Sequence, residues 1–191
     1  AMRAPADVAD MLRAIGLKAA EKDVVTSAQA ALELASEHLE SGDPVYVIGT
    51  DSFKELAGRA GYHVVDSATD KPRAVLQGLD PEVTWVELSE AALAIRSGAK
   101  YFASNLDTTL PTERGLMVGN GSLVAAVVSA TGENPVSAGK PLPAMLLTAA
   151  RRVGAQNPLV VGDRLDTDIE GGNAAGMRTF QVLTGVSGHI A

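Results

Sequence analysis

The sequence predicts an α/β protein built on largely parallel sheets, and three observations carry that prediction. Short apolar runs of strand length alternate with helix-length amphipathic segments along most of the chain. Those runs are continuous rather than alternating, the pattern of strands buried on both faces. Helix starts are marked by pairs of residues that can cap each other. No internal repeat or low-complexity stretch interrupts the alternation.

In chain order, Pro5 to Ile15 fits a first helix. Thr26 and Gln29 can cap reciprocally, and Ala28, Ala31, Leu32, Ala35 and Leu39 then share one face. Val45-Tyr46-Val47-Ile48 reads as a strand. Ser52 with Glu55 repeats the capping signal ahead of Leu56, Ala57 and Ala60, and Gly61 supplies a left-handed stop. After the strand run Ala74-Val75-Leu76, Thr84 with Glu87 opens a helix whose stripe is Leu88, Ala91, Ala92 and Ile95, ending at Gly98. Tyr101-Phe102-Ala103 is the next strand run. Helices then fit Ser122 to Thr131 and Pro143 to Val153. A strand at Leu159-Val160-Val161, a helix from Thr167 to Ala175 and a strand from Thr179 to Leu183 complete the pattern. Trp85, beside a helix start, reads as packing.

Composition narrows the function. The 191 residues are 46 % apolar and 20 % charged, an ordinary globular mix. Acidic residues outnumber basic ones, 23 to 16, for a net charge of −7, and no Lys/Arg cluster offers a phosphate-backbone contact, so a nucleic-acid partner is not expected. Zero cysteines exclude a disulfide framework, a thiolate metal site and a cysteine nucleophile. No apolar run approaches the roughly 18–20 residues of a membrane span, and the start, Ala1-Met2-Arg3-Ala4-Pro5, lacks the apolar segment of a signal peptide. A cytoplasmic protein with no membrane partner is the expectation.

The sharpest chemical signal is Gly162-Asp163-Arg164-Leu165-Asp166-Thr167-Asp168, directly after an apolar strand. Open α/β sheets place ligands at such strand ends. Three carboxylates within six residues exceed what capping needs, and their repulsion favours a cation or a basic neighbour. The alternative is that Asp166 is an N-cap and the others serve the helix dipole. Hard carboxylate oxygens suit Mg²⁺. Lys140, in Gly139-Lys140-Pro141 before a Pro-started helix, sits where an anionic phosphate belongs, although a lone lysine is more often a solvated surface group. The polar loop from Ser104 to Gly115 either contacts substrate or is plain structure. His38, His63 and His189 have no ligand spacing, Ser27 and Ser122 have no His–acid partners, and Gly119-x-Gly121 is too short for a dinucleotide fingerprint. That last gap, with the lack of a phosphoacceptor, counts against a receiver-like or dinucleotide-binding domain.

Together, Gly139-Lys140-Pro141, Val161 to Ile169 and Leu183-Thr184-Gly185-Val186 resemble the haloacid dehalogenase-like (HAD) phosphatases, and within them the NagD and 4-nitrophenylphosphatase branch. Thr26-Ser27-Ala28, Val45 to Gly49, Gln77-Gly78-Leu79-Asp80 and Pro111 to Gly115 are familiar from that branch, and the resemblance extends to its actinobacterial members, a glycerol-3-phosphate phosphatase among them. The resemblance implies a Rossmann-like core with a large inserted α/β cap. The expected division is a core part at residues 1–41, the cap at 42–135 and the later core at 136–191, with Pro/Gly-rich turns near 41–44 and 131–135 as crossings.

It also implies chemistry. Family members attack a phosphomonoester with an aspartate, forming an aspartyl-phosphate that water hydrolyses, with Mg²⁺ shielding the phosphate. Lys140 matches the lysine that holds nucleophile and phosphate, Asp163 the Mg²⁺ ligand, and Asp168 the acid supporting that site. The loop bearing Asn105, Asp107 and Leu110 matches the substrate-contacting element of the cap. Pyridoxal-phosphate-selective relatives carry a histidine where Leu110 stands, so a small sugar, polyol or glycerol phosphate is the expected substrate. Caps of this branch often mediate homodimer contacts, which makes a non-catalytic binding or dimerisation module the rival expectation.

The chain departs from the family at one point: no Asp-x-Asp-Gly or Thr-Asn-Asn segment occurs in it, and Ala1-Met2-Arg3 resembles the residues that succeed Thr-Asn-Asn in family members. It reads as an N-terminally truncated member, with little metal affinity and no phosphatase activity on its own. Strands flanking the absent one are expected to be exposed, a pairing hazard.

Overall fold

The computed structural model describes residues 3–185; Ala1, Met2, Val186 and His189 lie outside the described residues. Its elements in order are α1 (Pro5–Ala14), α2 (Ser27–Ser36), β1 (Pro44–Ile48), α3 (Asp51–Arg59), β2 (His63–Val65), β3 (Ala74–Gln77), α4 (Trp85–Arg96), β4 (Lys100–Ala103), β5 (Thr109–Thr112), β6 (Gly115–Val118), α5 (Asn120–Thr131), β7 (Val136–Ser137), α6 (Ala144–Arg152), β8 (Leu159–Gly162), a π turn (Leu165–Ile169), α7 (Glu170–Ala174) and β9 (Arg178–Gln181).

A five-stranded sheet ordered β2-β1-β3-β4-β7 forms the centre, and every pairing in it is parallel. The runs expected to be buried on both faces are so buried here. Val45, Val47, Leu76 and Phe102 pack with Ala28, Ala31 and Ala35 of α2 and Phe53 of α3 on one side. Tyr46, Ile48, Val75 and Tyr101 pack with Ala91, Ala94 and Ile95 of α4 and Val124 and Val127 of α5 on the other. The chain leaves β1 for β2 on one side and returns to β3 on the other, so the crossover reverses between β1 and β3, where doubly wound sheets open a crevice at their carboxyl ends.

Two capping boxes form as read. The Thr26 hydroxyl accepts from the Gln29 amide while Gln29 accepts from Thr26, and Thr84 and Glu87 do the same at α4. The third does not. Helix α3 starts one residue before Ser52 with Thr50 as its N-cap, so Ser52 lies inside the first turn and Glu55 pairs instead with Arg59 at 3.2 Å. Gly61 and Gly98 do take the left-handed conformation at the helix stops. Helix α5 begins at Asn120 rather than Ser122, whose hydroxyl donates to the Thr108 carbonyl. Trp85 does not pack: as the first residue of α4 it is 80 % exposed.

Two departures bear on the site. The loop after β4 is not all loop, because β5 and β6 form an antiparallel hairpin inside it. And β8 with β9 makes a separate two-stranded parallel sheet, whose runs are not covered on both faces. Leu159, Val161 and Phe180 are 52 %, 58 % and 58 % exposed. Among the described residues, no helix is long and apolar enough to cross a membrane.

Candidate functional site

Strand β8 ends at Gly162, and the chain turns sharply there. The segment from Leu165 to Ile169 is wound as a π turn in which the amides of Asp168 and Ile169 both donate to the Arg164 carbonyl, at 3.0 and 3.1 Å. This winding folds the Asp168 carboxylate back over the strand end. It accepts the backbone N–H of Asp163 and of Arg164, each at 3.2 Å. Only glycine fits at 162, since a Cβ there would overlap the Asp168 side chain. Asp168 is thereby buried, and Lys140, half-exposed on the loop after β7, donates its Nζ to the same carboxylate. Burial alone would push the Asp168 carboxyl up. The Lys140 ammonium and the two amides outweigh it and hold the group below the ordinary carboxylate value.

The sequence left Asp166 between an N-cap and a charged role. The structure gives it a partner instead: Arg164 makes a two-pronged contact with it, Nε to Oδ1 at 3.1 Å and Nη2 to Oδ2 at 2.7 Å. That hydrogen bond holds the Asp166 carboxyl down and the guanidinium up. The N-cap position belongs to Arg164, which makes no side-chain cap bond. The crowding of three acids is therefore met by two basic neighbours, Lys140 and Arg164. Among the described residues, no group of three or more His, Cys, Asp or Glu side chains converges as a metal cage.

Above this pair of ion pairs lies a cleft of about 620 Å³. Lys140, Arg164, Asp166 and Thr167 line it, with Ser27 at the start of α2, and so do Asn105, Asp107 and Leu110, with Leu79 beyond the carboxyl end of β3. The cleft thus sits where the carboxyl ends of β3, β4 and β8 meet. Of the expected residues, Asn105, Asp107, Leu110 and Lys140 face one space and Asp168 lies beneath Lys140. Asp163 stands at the end of β8, half-buried, with its carboxylate against Gly185 rather than on the cleft lining. Sequence reasoning did not single out Arg164, Thr167 or Ser27 as site residues. The available signal for Arg164 was a cation embedded between Asp163 and Asp166.

A family model of HAD-hydrolase-like proteins matches residues 137–190, and one of haloacid dehalogenase-like hydrolases matches residues 1–63. The chain is 50 % identical over 187 residues to a D-glycerol 3-phosphate phosphatase of Mycobacterium tuberculosis, a match that covers 98 % of this chain and 53 % of that protein. It is 37 % identical over 187 residues to an acid sugar phosphatase of Staphylococcus aureus, covering 97 % of this chain and 71 % of the relative. The crystal structure of the M. tuberculosis glycerol phosphate phosphatase in complex with magnesium superposes with a TM-score of 0.93 at 50 % identity, over 97 % of this chain and 56 % of that one. A double mutant of the thermostable NPPase of Geobacillus stearothermophilus superposes at 0.91 with 36 % identity, over 97 % and 74 %. The chain spans about half the length of its M. tuberculosis relative.

Proposed function

The chain belongs to the haloacid dehalogenase-like hydrolases, and from that membership we propose that it forms the phosphate-gripping and substrate-selecting part of a Mg²⁺-dependent phosphomonoester hydrolase. The observation that carries this reading is the Lys140–Asp168 ion pair at the carboxyl end of β8, with Lys140 lining the same cleft as Asn105 and Asp107. Lys140 presents an ammonium to a phosphate dianion, and Asp168 fixes its direction from below. Arg164, held by Asp166, adds a second cation to the same wall. Lining the same cleft, the Asn105 amide and the Asp107 carboxylate offer a donor and acceptors to the hydroxyls of a sugar, polyol or glycerol phosphate.

The residues fit Mg²⁺ in a limited way. One carboxylate, Asp163, stands at the strand end with hard oxygens, and Mg²⁺ characteristically takes one or two protein carboxylates, water and phosphate oxygens. When bound, the ion supplies charge neutralisation to the phosphate. Asp163 would hold it and Asp168 would steady the strand end through the Asp163 amide. The 191 residues contain no Asp-x-Asp-Gly segment to act as nucleophile. We therefore expect these residues alone to release no 4-nitrophenol from 4-nitrophenyl phosphate with Mg²⁺. The same chain extended by an Asp-x-Asp-Gly-Thr-bearing segment should do so, with Lys140→Met lowering kcat/KM about a hundredfold or more. Turnover by the unextended chain would overturn the need for that segment, and unimpaired turnover by Lys140→Met the phosphate role.

A second reading, a dimerisation module, is favoured by β6, whose Leu116, Met117 and Val118 are all exposed on a hairpin edge. Met117→Lys should then shift a dimer to monomer in size-exclusion chromatography with light scattering.

A further inference from the structure

We propose that Gly119-Asn120-Gly121 is a rack that fixes the substrate-facing loop from Asn105 to Thr109, with Asn120 as a positioning residue for leaving-group recognition. This rests on the phosphatase reading. The loop lies directly on the start of α5. A Cβ at Gly119 would overlap the Asp107 carbonyl oxygen, and one at Gly121 would overlap that of Leu106. Neither residue needs a left-handed φ, so their bareness serves close approach and not a turn. The approach is then used. The Gly119 N–H donates to the Thr108 carbonyl at 2.9 Å and the Gly121 N–H to that of Asp107 at 2.8 Å.

Asn120 completes the grip. It is buried, and its Nδ2 donates to the Asn105 carbonyl at 2.8 Å. Its Oδ1 has no hydrogen-bond partner among the described residues. A buried amide half satisfied is a cost that hydrophobic packing does not demand, and it is borne at the point that orients Asn105. Gly139 also closes on the same residue, where a Cβ would come within 2.8 Å of Asn105 Cα. Asn105 is thus held both by the helix start and by the residue preceding Lys140. The spacing between the group that grips phosphate and the group that reads the alcohol is therefore set by backbone contacts.

The test has two arms. In the 191-residue chain, hydrogen exchange should quicken about tenfold or more at positions 119 and 121 in Gly121→Ala, with the β3 and β4 amides unchanged. In the chain extended by an Asp-x-Asp-Gly-Thr segment, Asn120→Asp keeps the shape but faces the Asn105 carbonyl with an acceptor. It should raise KM for glycerol 3-phosphate about tenfold with kcat within about threefold, and leave 4-nitrophenyl phosphate, whose alcohol has no aliphatic hydroxyl, within about threefold in both. Equal losses on both substrates, or none, would overturn the positioning role. If the extended wild type hydrolyses neither substrate, the phosphatase reading falls and the positioning role with it, while exchange at 119 and 121 decides the rack by itself: unchanged exchange overturns it.

Discussion

Asp168 shows how much one carboxylate can organise. It receives two backbone amides and one ammonium while being nearly closed to solvent. Because its pKa is lowered on folding, its contribution to stability is fully present above the unfolded aspartate value of about 3.9 and fades as pH falls through the folded value. Asp168→Asn should cost about 1–2 kcal/mol at pH 7, discounted for the exposure of Lys140. The gap between variant and wild type should narrow below about pH 4, as read from urea unfolding at pH 7 and pH 3. A gap that persists undiminished at pH 3 would mean that the ionised carboxylate is not its source. The residue itself was legible in the sequence, as one of three closely spaced acids after an apolar strand. Lys140 was legible too, as a lysine ahead of a helix start, but its pairing with Asp168 was not, because 28 residues separate them and only the fold brings them together.

Elements were readable where local physics decides them. The boxes at Thr26 and Thr84 close within four residues, so sequence alone contains both partners. The box at Ser52 failed because the same stretch offers a start one residue earlier. Strands β2 and β7 went unread, being three and two residues long and paired with strands that lie well apart in the chain, and β5 and β6 went unread although they pair as a local hairpin. β4 is the opposite case: Phe102, fully buried between α2 and its neighbour strands, anchors one core layer. Phe102→Ala should lower stability by about 3–5 kcal/mol. Leu159→Ala on half-exposed β8 should cost under about 1 kcal/mol. Thermal melts of the two variants check the contrast, and similar losses would contradict the burial difference.

At the scale of the molecule, the expectation of strands buried on both faces holds for the central sheet and fails for β8 and β9. A parallel pair exposing Leu159, Val161 and Phe180 has an uncovered apolar face, and parallel sheets are ordinarily buried. Nothing in the local sequence separates the run at Leu159 from the one at Val45; what differs is the company each keeps. The 191-residue chain should therefore self-associate, its scattering mass rising with concentration, and Val161→Lys should suppress that rise. A mass independent of concentration in the wild type would contradict this.

Lys140 follows β7, which is bonded to the central sheet, whereas Asp168 caps the end of β8 in the other one. Their contact is a stitch between two separately hydrogen-bonded bodies. An anion that draws the ammonium toward itself must loosen that stitch, so occupancy and inter-sheet slack become thermodynamically linked, each tuning the other to the same degree.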